Sequence, residues 1–291
     1  MKYGLSVEQV AQFHDDGFLI VRDQLPKEAY QPFLDEVVAK IDEVVSEAVG
    51  EGLLDPGDTF PDASFETRLA LVSNACSEPE RIWKNFQGKR FKTPGMFALR
   101  THPAILDATE SLIGPEIFAH PQSNLRAKLP DLEATVVPWH QDLAYLIPED
   151  AGETLFVNFW IPLVKATADN GCLQVLRGSH RVGLLPHDYR TPHFKGVFES
   201  ELPDSEVVTC EVDVGDVLLT MERVLHRSTP HTTNSVRWSL DVRYSRVGLP
   251  TGRENVPGFI ARSQVNPESV AQSHHDWIRN YELAGIDPFG N

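Results

Sequence analysis

The triplet histidine–x–aspartate occurs three times in this chain, at His14/Asp16, His140/Asp142 and His274/Asp276. Residues two apart on a β-strand point to the same side, so such a pair can offer an imidazole nitrogen and a carboxylate oxygen to one cation. With a third ligand from elsewhere, the pair makes the two-histidine, one-carboxylate face of an octahedral iron(II) site. The opposite face then stays open for a chelating co-substrate and dioxygen. The triplet alone is weak evidence, because a chain with 11 histidines is expected to contain it by chance. Context separates the three. His14 falls in a predicted helix, where positions i and i+2 do not share a face. His274 falls in a predicted helical tail. Only His140 ends a predicted strand, within Thr135-Val136-Val137-Pro138-Trp139-His140-Gln141-Asp142.

A third ligand should follow a later strand. Gly215-Asp216 opens the apolar run Val217–Met221, and His226 comes shortly after it, with His231 close by as a rival. The segment that follows favours His226. In Val236–Tyr244, alternation puts Arg237, Ser239, Asp241 and Arg243 on one face and Trp238, Leu240, Val242 and Tyr244 on the other. A guanidinium inside a barrel needs an anion, and its planar fork suits a carboxylate. The distal carboxylate of 2-oxoglutarate is the natural partner, with Ser239 able to donate to the same group. The plainer role for Arg237 is a structural salt bridge with Asp241.

The elements that must carry these residues divide the chain in two. Ser6 and Gln9 form a capping-box pattern for a helix over residues 6–17, with Val7, Val10, Ala11 and His14 on one face and Gly17 at its end. Phe18–Val21 reads as a buried strand. Pro26 opens a long amphipathic helix to about Val49, with Phe33, Val37, Ile41, Val44 and Val45 facing inward. After a Gly- and Pro-rich loop, residues 64–115 read as mostly helical. From Ile117 to about Arg246 the pattern becomes short strands. These are Glu133–His140, Thr154–Pro162, Gly171–Leu176, Glu206–Val212, Val217–Met221 and Val236–Ser245, with turns at Ala168–Gly171 and Val214–Asp216. That spacing predicts a mainly β fold with flanking α-helices, a double-sheet jelly roll of the kind found in cupins. A Pro/Gly loop (250–257) and a helix around Pro267–Leu283 follow. The 291 residues are read as a single domain: a helical part at about 1–116, a β core at about 117–246 and a tail at about 247–291.

Composition excludes some partners. Hydrophobic residues make up 41% and charged residues 23%, as in ordinary globular proteins. A net charge of −16 argues against nucleic acid and against anionic membrane. The odd cysteine count (Cys76, Cys172, Cys210), without CxxC spacing, argues against a disulfide framework or a zinc knuckle. With no apolar leader and no stretch of about 20 apolar residues, a cytoplasmic location is the expectation. No GxGxxG, Walker A, GxSxG or HExxH pattern is present.

At this point the ordered motifs resemble the phytanoyl-CoA dioxygenase (PhyH-like) family of Fe(II)/2-oxoglutarate oxygenases, which includes ectoine hydroxylases. The motifs are DDGFLIV, HPAILDATESLIGPEI, WHQD, FWIPLVKATADNGCLQVLRGSH, GDVLL and HRSTPHTTNSVRWS. The resemblance runs from about Ser6 to Tyr244. It implies a double-stranded β-helix core, iron(II) at His140, Asp142 and His226, and 2-oxoglutarate on Arg237. Gln122 and Lys128 match in spacing a Gln and a Lys on the strand before the H-x-D of the ectoine-hydroxylase branch. With Asn124 between them they join Arg237 and Ser239 as candidate 2-oxoglutarate contacts, against the plainer reading of a solvated strand face. His226-Arg227-Ser228 departs from the commoner His-Gly-Ser, which bears on the pocket rim and not on the ligand. Related iron halogenases carry a small residue in place of the carboxylate, so Asp142 implies hydroxylation or another oxidation.

Tyr145, Arg243 and Trp160 are candidate substrate contacts, Trp160 doubling as packing beside the site. His180 reads as a rim or structural histidine. The expected reaction consumes O₂ and 2-oxoglutarate, releases succinate and CO₂, and oxidises a C–H bond of a small molecule. Segments 51–115, 143–152 and 183–205 are long enough to shape its pocket. The competing expectations are a cupin-like metal-dependent oxygenase or isomerase, which would not need Arg237, and a non-catalytic binding module, which should have lost a ligand.

Overall fold

Burial of one face of each strand and helix builds the architecture. The computed structural model describes residues 1–86, 91–130, 135–188, 194–253 and 255–289. Helix α1 (Val7–Asp16) starts with the reciprocal Ser6–Gln9 capping box and ends at Gly17, whose φ of 81° suits glycine. Its buried residue is Phe13, whereas Val7 is exposed, so the helix is rotated from the face expected. In so short a helix, one ring in the core outweighs the smaller aliphatic groups. Strand β1 (Phe18–Val21) and helix α2 (Lys27–Gly50) follow, and α2 buries Phe33, Val37, Ile41, Val44 and Val45. Four more helices complete this part: α3 (Arg68–Ala75), α4 (Pro79–Lys84), α5 (Pro94–Thr101) and α6 (Pro103–Ile113).

Then come strands β2 (Ile117–Lys128), the short helix α7 (Pro148–Ala151), β3 (Val157–Pro162), β4 (Leu173–Leu176), β5 (His187–Asp188), β6 (Gly196–Val197), β7 (Val207–Cys210), β8 (Val217–Met221), β9 (His226–Ser228), β10 (Arg237–Arg246), β11 (Phe259–Arg262) and helix α8 (His274–Leu283). The large sheet has the order β1-β8-β3-β10-β2-β11, and the smaller one β7-β4-β9, all antiparallel. The two sheets close over Phe18, Trp160, Leu173, Val175, Cys210 and Leu218, giving the jelly-roll interior. The helices cover the outer face of the large sheet in one continuous core that runs from Phe13 to Tyr281. Cys76, Cys172 and Cys210 are free and buried. Among the described residues no helix is long and apolar enough to cross a membrane.

Strands β2 and β10 do most to arrange the site. Their register pairs Lys128 with Arg237, Arg126 with Ser239 and Asn124 with Asp241 on one face, while Leu125, Ala127, Trp238 and Leu240 pack outward into the helical layer. The ladder slips between Val242 and Tyr244, opposite the stretch of β2 that contains Pro121. Proline has no N–H for a ladder, so a bulge forms there.

Strand β2 was not among the strands expected from apolar runs, because every second residue near its end is polar and faces inward. The expected strand Glu133–His140 is corrected. Glu133 and Ala134 lie outside the described residues, and 135–139 form no strand; only His140 bridges to His226. Pro138 cannot donate, the Val137 N–H goes to Ser228 Oγ, and the Thr135 carbonyl accepts from Lys128 Nζ. In the tail, β11 lies between the expected loop and the expected helix, and α8 begins at His274.

Gly171, at φ +92°, lies against the Lys128 side chain, where a Cβ would overlap Cδ and Cε. Gly171→Ala is expected to cost about 1–3 kcal/mol from backbone strain alone, whether or not Lys128 gives way. Equilibrium urea unfolding reads this, and unchanged stability would show that the backbone at this turn relaxes out of the left-handed region.

Candidate metal centre

His140, Asp142 and His226 bring three ligand atoms within 4.8 Å of one another, the one such group of histidine, cysteine and carboxylate side chains among the described residues. Strand β9 supplies His226, and His140 is held to it by two backbone hydrogen bonds of 3.0 Å, His140 N–H to His226 O and His226 N–H to His140 O. The chain then turns into a short 3₁₀ helix (Asp142–Tyr145), which brings the carboxylate under the two rings. Gln141, fully buried between two ligands, pins this turn. Its amide donates to the Gly183 and Arg223 carbonyls and accepts from the Leu185 N–H.

Both imidazoles are aimed by carbonyls. His140 Nδ1 lies 2.9 Å from Pro138 O, and His226 Nδ1 lies 3.1 Å from Val224 O. A carbonyl only accepts, so each Nδ1 carries the hydrogen and each Nε2 presents a lone pair inward. His140 Nε2 stands 3.8 Å from Asp142 Oδ1. Burial first, and then the neighbouring His226, pushes the His140 pKa down to about 3, which keeps the ring neutral and able to ligate. Burial alone would raise the Asp142 pKa. Its neighbours, Arg243 first, outweigh it and hold the carboxyl well below its ordinary range. Arg243 Nη2 is 3.0 Å from Asp142 Oδ2.

The other two triplets are spent on structure. Asp16 pairs with Arg177, and the His14 carbonyl accepts from His180 Nε2. Asp276 accepts the Gln272 and Ser273 N–H groups at the start of α8. His231 lies outside the three-residue cluster; its Nδ1 accepts from the Thr233 N–H.

Two cavities meet at the cluster. The inner cleft is narrow and includes His140, Asp142, His226, Trp160, Ser228 and Arg237. The outer cavity, about 310 Å³, includes His140, Asp142, Gln122, Asn124, Tyr145 and Arg243. Arg237 is 2% exposed, 5.3 Å from the Trp160 ring, and donates to Ser239 Oγ. Its Nε is buried without a partner. Asp241, the salt-bridge partner considered for it, instead pairs with Arg126. Burial pushes the Arg237 pKa down to about 10. Lys128 stands beside it in register, donating to Thr135 O and Ser228 Oγ, each at 3.0 Å. Burial and Arg237 push its ammonium down to about 7.

The sequence candidates thus separate. Arg237 and Trp160 are on the wall of the inner cleft, with Lys128 and Ser239 buried beside Arg237. Gln122 and Asn124 lie with Tyr145 and Arg243 at the outer cavity. Gln122 Oε1 and Asn158 Oδ1 accept from Arg243. The Tyr145 hydroxyl is engaged with the backbone of Lys195. Arg126, Asn158 and Arg253 were not singled out from sequence. The polar alternation of β2 could have flagged Arg126, but nothing local marks Arg253, which lies in a loop.

Comparison with known proteins places the chain among relatives. Residues 13–239 match the family described as phytanoyl-CoA dioxygenase (PhyH). A phytanoyl-CoA dioxygenase domain-containing protein 1 from Bos taurus is 28% identical over 206 residues, covering 65% of this chain and 70% of that protein. The apo structure of a non-heme monooxygenase, ThoJ, superposes with a TM-score of 0.62 at 19% identity, covering 95% of this chain and 94% of its own. EctD from S. alaskensis, solved with 2-oxoglutarate and 5-hydroxyectoine, superposes with a TM-score of 0.58 at 17% identity, covering 92% and 86%. The jelly-roll fold is therefore shared with these enzymes.

The geometry makes a direct test of the third ligand. His226→Ala is expected to weaken binding of Fe(II), or of Ni(II) as its stand-in, by about 100-fold or more, whereas His231→Ala leaves it unchanged. Anaerobic calorimetry reads both, and the reverse pattern would move the ligand to His231.

Proposed function

The chain belongs to the phytanoyl-CoA dioxygenase family, and we propose that it is an iron(II)- and 2-oxoglutarate-dependent oxygenase that hydroxylates an unactivated C–H bond of a small molecule. One observation carries this beyond metal binding. Arg237 is buried beside the three ligands with, among the described residues, no carboxylate partner and no partner for its buried Nε. A buried guanidinium in that state calls for an anion. A cleft that joins a cation site to a lone guanidinium suits a dicarboxylate that chelates the metal at one end.

The residues present fit both groups. His140, Asp142 and His226 would hold iron(II), and Arg237 the far carboxylate of 2-oxoglutarate. With dioxygen, these supply an oxidant able to take hydrogen from an aliphatic carbon, and 2-oxoglutarate leaves as succinate and CO₂. The protein's part is aim and seclusion. The Pro138 and Val224 carbonyls fix which nitrogen of each ring ligates. Arg243 holds Asp142 ionised. Ser239 orients the guanidinium, while Lys128 braces Ser228 and adds a second positive charge. Trp160 and Leu173 keep the inner cleft apolar around these few polar groups. Gln122 and Asn124 belong in this reading to the substrate side, with Arg243, rather than to 2-oxoglutarate.

The test uses metal-loaded protein under argon. Adding 2-oxoglutarate is expected to produce the visible charge-transfer band of an iron(II) keto-acid chelate. Arg237→Ala should weaken 2-oxoglutarate binding by roughly 30-fold or more with metal affinity unchanged. A metal-loaded protein that binds no 2-oxoglutarate, or binds it equally in Arg237→Ala, favours a cupin-like enzyme that does not use it.

The pH dependence has a definite sign. An incoming carboxylate favours charged Lys128 and raises its pKa from about 7. Binding is then strongest below that value and weakens as pH rises toward the pKa in the complex, with a proton taken up in between. Calorimetry near pH 8 in buffers of different ionisation enthalpy should show that uptake, and Lys128→Met should remove it. Uptake that persists in Lys128→Met would assign the proton to another group.

A further inference from the structure

We propose that the outer cavity takes a small, polar substrate bearing one carboxylate, gripped by Arg253 from the segment that follows β10. This rests on the reading that iron and 2-oxoglutarate fill the inner cleft.

Charge makes the first part of the case. The chain carries a net charge of −16, yet this cavity's walls include Arg126, Arg243 and Arg253 against two carboxylates, Asp142 and Asp241. The carboxylates are already matched, Asp142 by Arg243 and Asp241 by Arg126. Arg253 has no carboxylate partner among the described residues. Its Nη2 donates to the Tyr145 carbonyl, and its Nε is buried without a partner. Fe²⁺ and the 2-oxoglutarate dianion carry equal and opposite charge, so among the described residues of this cavity's walls Arg253 is the one cation left for the substrate to meet. A guanidinium meets a carboxylate through paired N–H donors, which gives orientation as well as attraction.

The second part is placement. The loop that carries Arg253 is tied to the body of the protein just before it. The Thr251 carbonyl lies 2.9 Å from His120 Nε2, Thr251 Oγ1 accepts from the Arg253 N–H at 3.1 Å, and the Gly252 carbonyl accepts from the Ile147 N–H at 3.1 Å. Gly252, at φ +64°, packs so closely that a Cβ would stand 2.9 Å from Leu146 Cβ. The guanidinium is thereby held ready before any ligand arrives, which lowers the cost of ordering it. Arg253 also lies beyond residues 13–239, so this contact belongs to the chain's own C-terminal segment rather than to the part matched by the family.

The third part is size and polarity. A cavity of about 310 Å³ is at the small end for ligand sites. Its larger apolar surfaces are Val137, Phe194 and the Tyr145 ring. A long aliphatic chain would displace water from the arginines and return no partner, at the cost of a desolvated charge. A compact acid with hydroxyl or amide groups would instead meet Arg253 at one end and Gln122 and Asn124 along its length.

The experiment uses full-length protein loaded with Fe(II) and saturating 2-oxoglutarate under argon. It is titrated calorimetrically with a set of small monocarboxylic acids and with the carboxamide of each. The acids are expected to bind about tenfold or more tighter than their amides. Arg253→Gln should erase that preference with 2-oxoglutarate binding unchanged, and Arg253→Lys should keep part of it. Acids and amides that bind alike, a preference that survives in Arg253→Gln, or no binding of any acid would each overturn the proposal. Loss of 2-oxoglutarate binding to the metal-loaded wild-type protein would instead remove the reading beneath it, and the two failures are distinguished by that first titration.

Discussion

A guanidinium buried without a counter-ion among the described residues is the constraint around which this structure is organised. Arg237 sits 2% exposed on the inner face of β10, and the nearest carboxylate on its own strand face, Asp241, is taken by Arg126. Such a group is costly to bury, and it persists only where the rest of the fold is stable enough to carry it. The opposite face of the same strand shows how. Trp238, Leu240, Val242 and Tyr244 are all at most 1% exposed in the core shared with the helices. The helical layer thus stabilises a strand whose inner face is reserved for charge.

The same pairing orders the charges along the site. Lys128 and Arg237 lie side by side at the inner end, the three ligands sit at the middle, and Arg243 backs Asp142 toward the outer end. Each carboxylate on the walls has its arginine, so the unmatched cations stand at the two ends. An anion entering the cleft meets positive charge at the far wall, and one in the outer cavity meets it at Arg253. The acidic exterior and cationic interior together favour small anions over large polyanions, whose approach the net charge opposes.

Much of this could be read from residue pattern, for identifiable reasons. The alternation in β10 is strict, so the faces of Arg237 and Trp238 follow from the two-residue period alone. The long apolar stripe of α2 and the capping box of α1 are equally local signals. Other features are set by distant contacts. Strand β2 is polar at every second position near its end and contains Pro121, so its strand character depends on β10 and on the cleft it lines. Residues 135–139 are rich in β-formers, yet Pro138 has no N–H, Ser228 Oγ takes the Val137 N–H and Lys128 takes the Thr135 carbonyl, so the paired backbone bonds of a strand do not form. The separation of Gln122 and Asn124 from Lys128 follows from the direction of β2 across the cluster. Arg253 is informative only because His120, Ile147 and Leu146 hold its loop in place.

An anaerobic crystal structure with iron(II) and 2-oxoglutarate tests the central claim most directly. The account predicts the metal on His140 Nε2, an Asp142 oxygen and His226 Nε2, with the keto acid chelating it and the far carboxylate on Arg237. A 2-oxoglutarate carboxylate resting on Arg253, with Arg237 still without an anion, would contradict it.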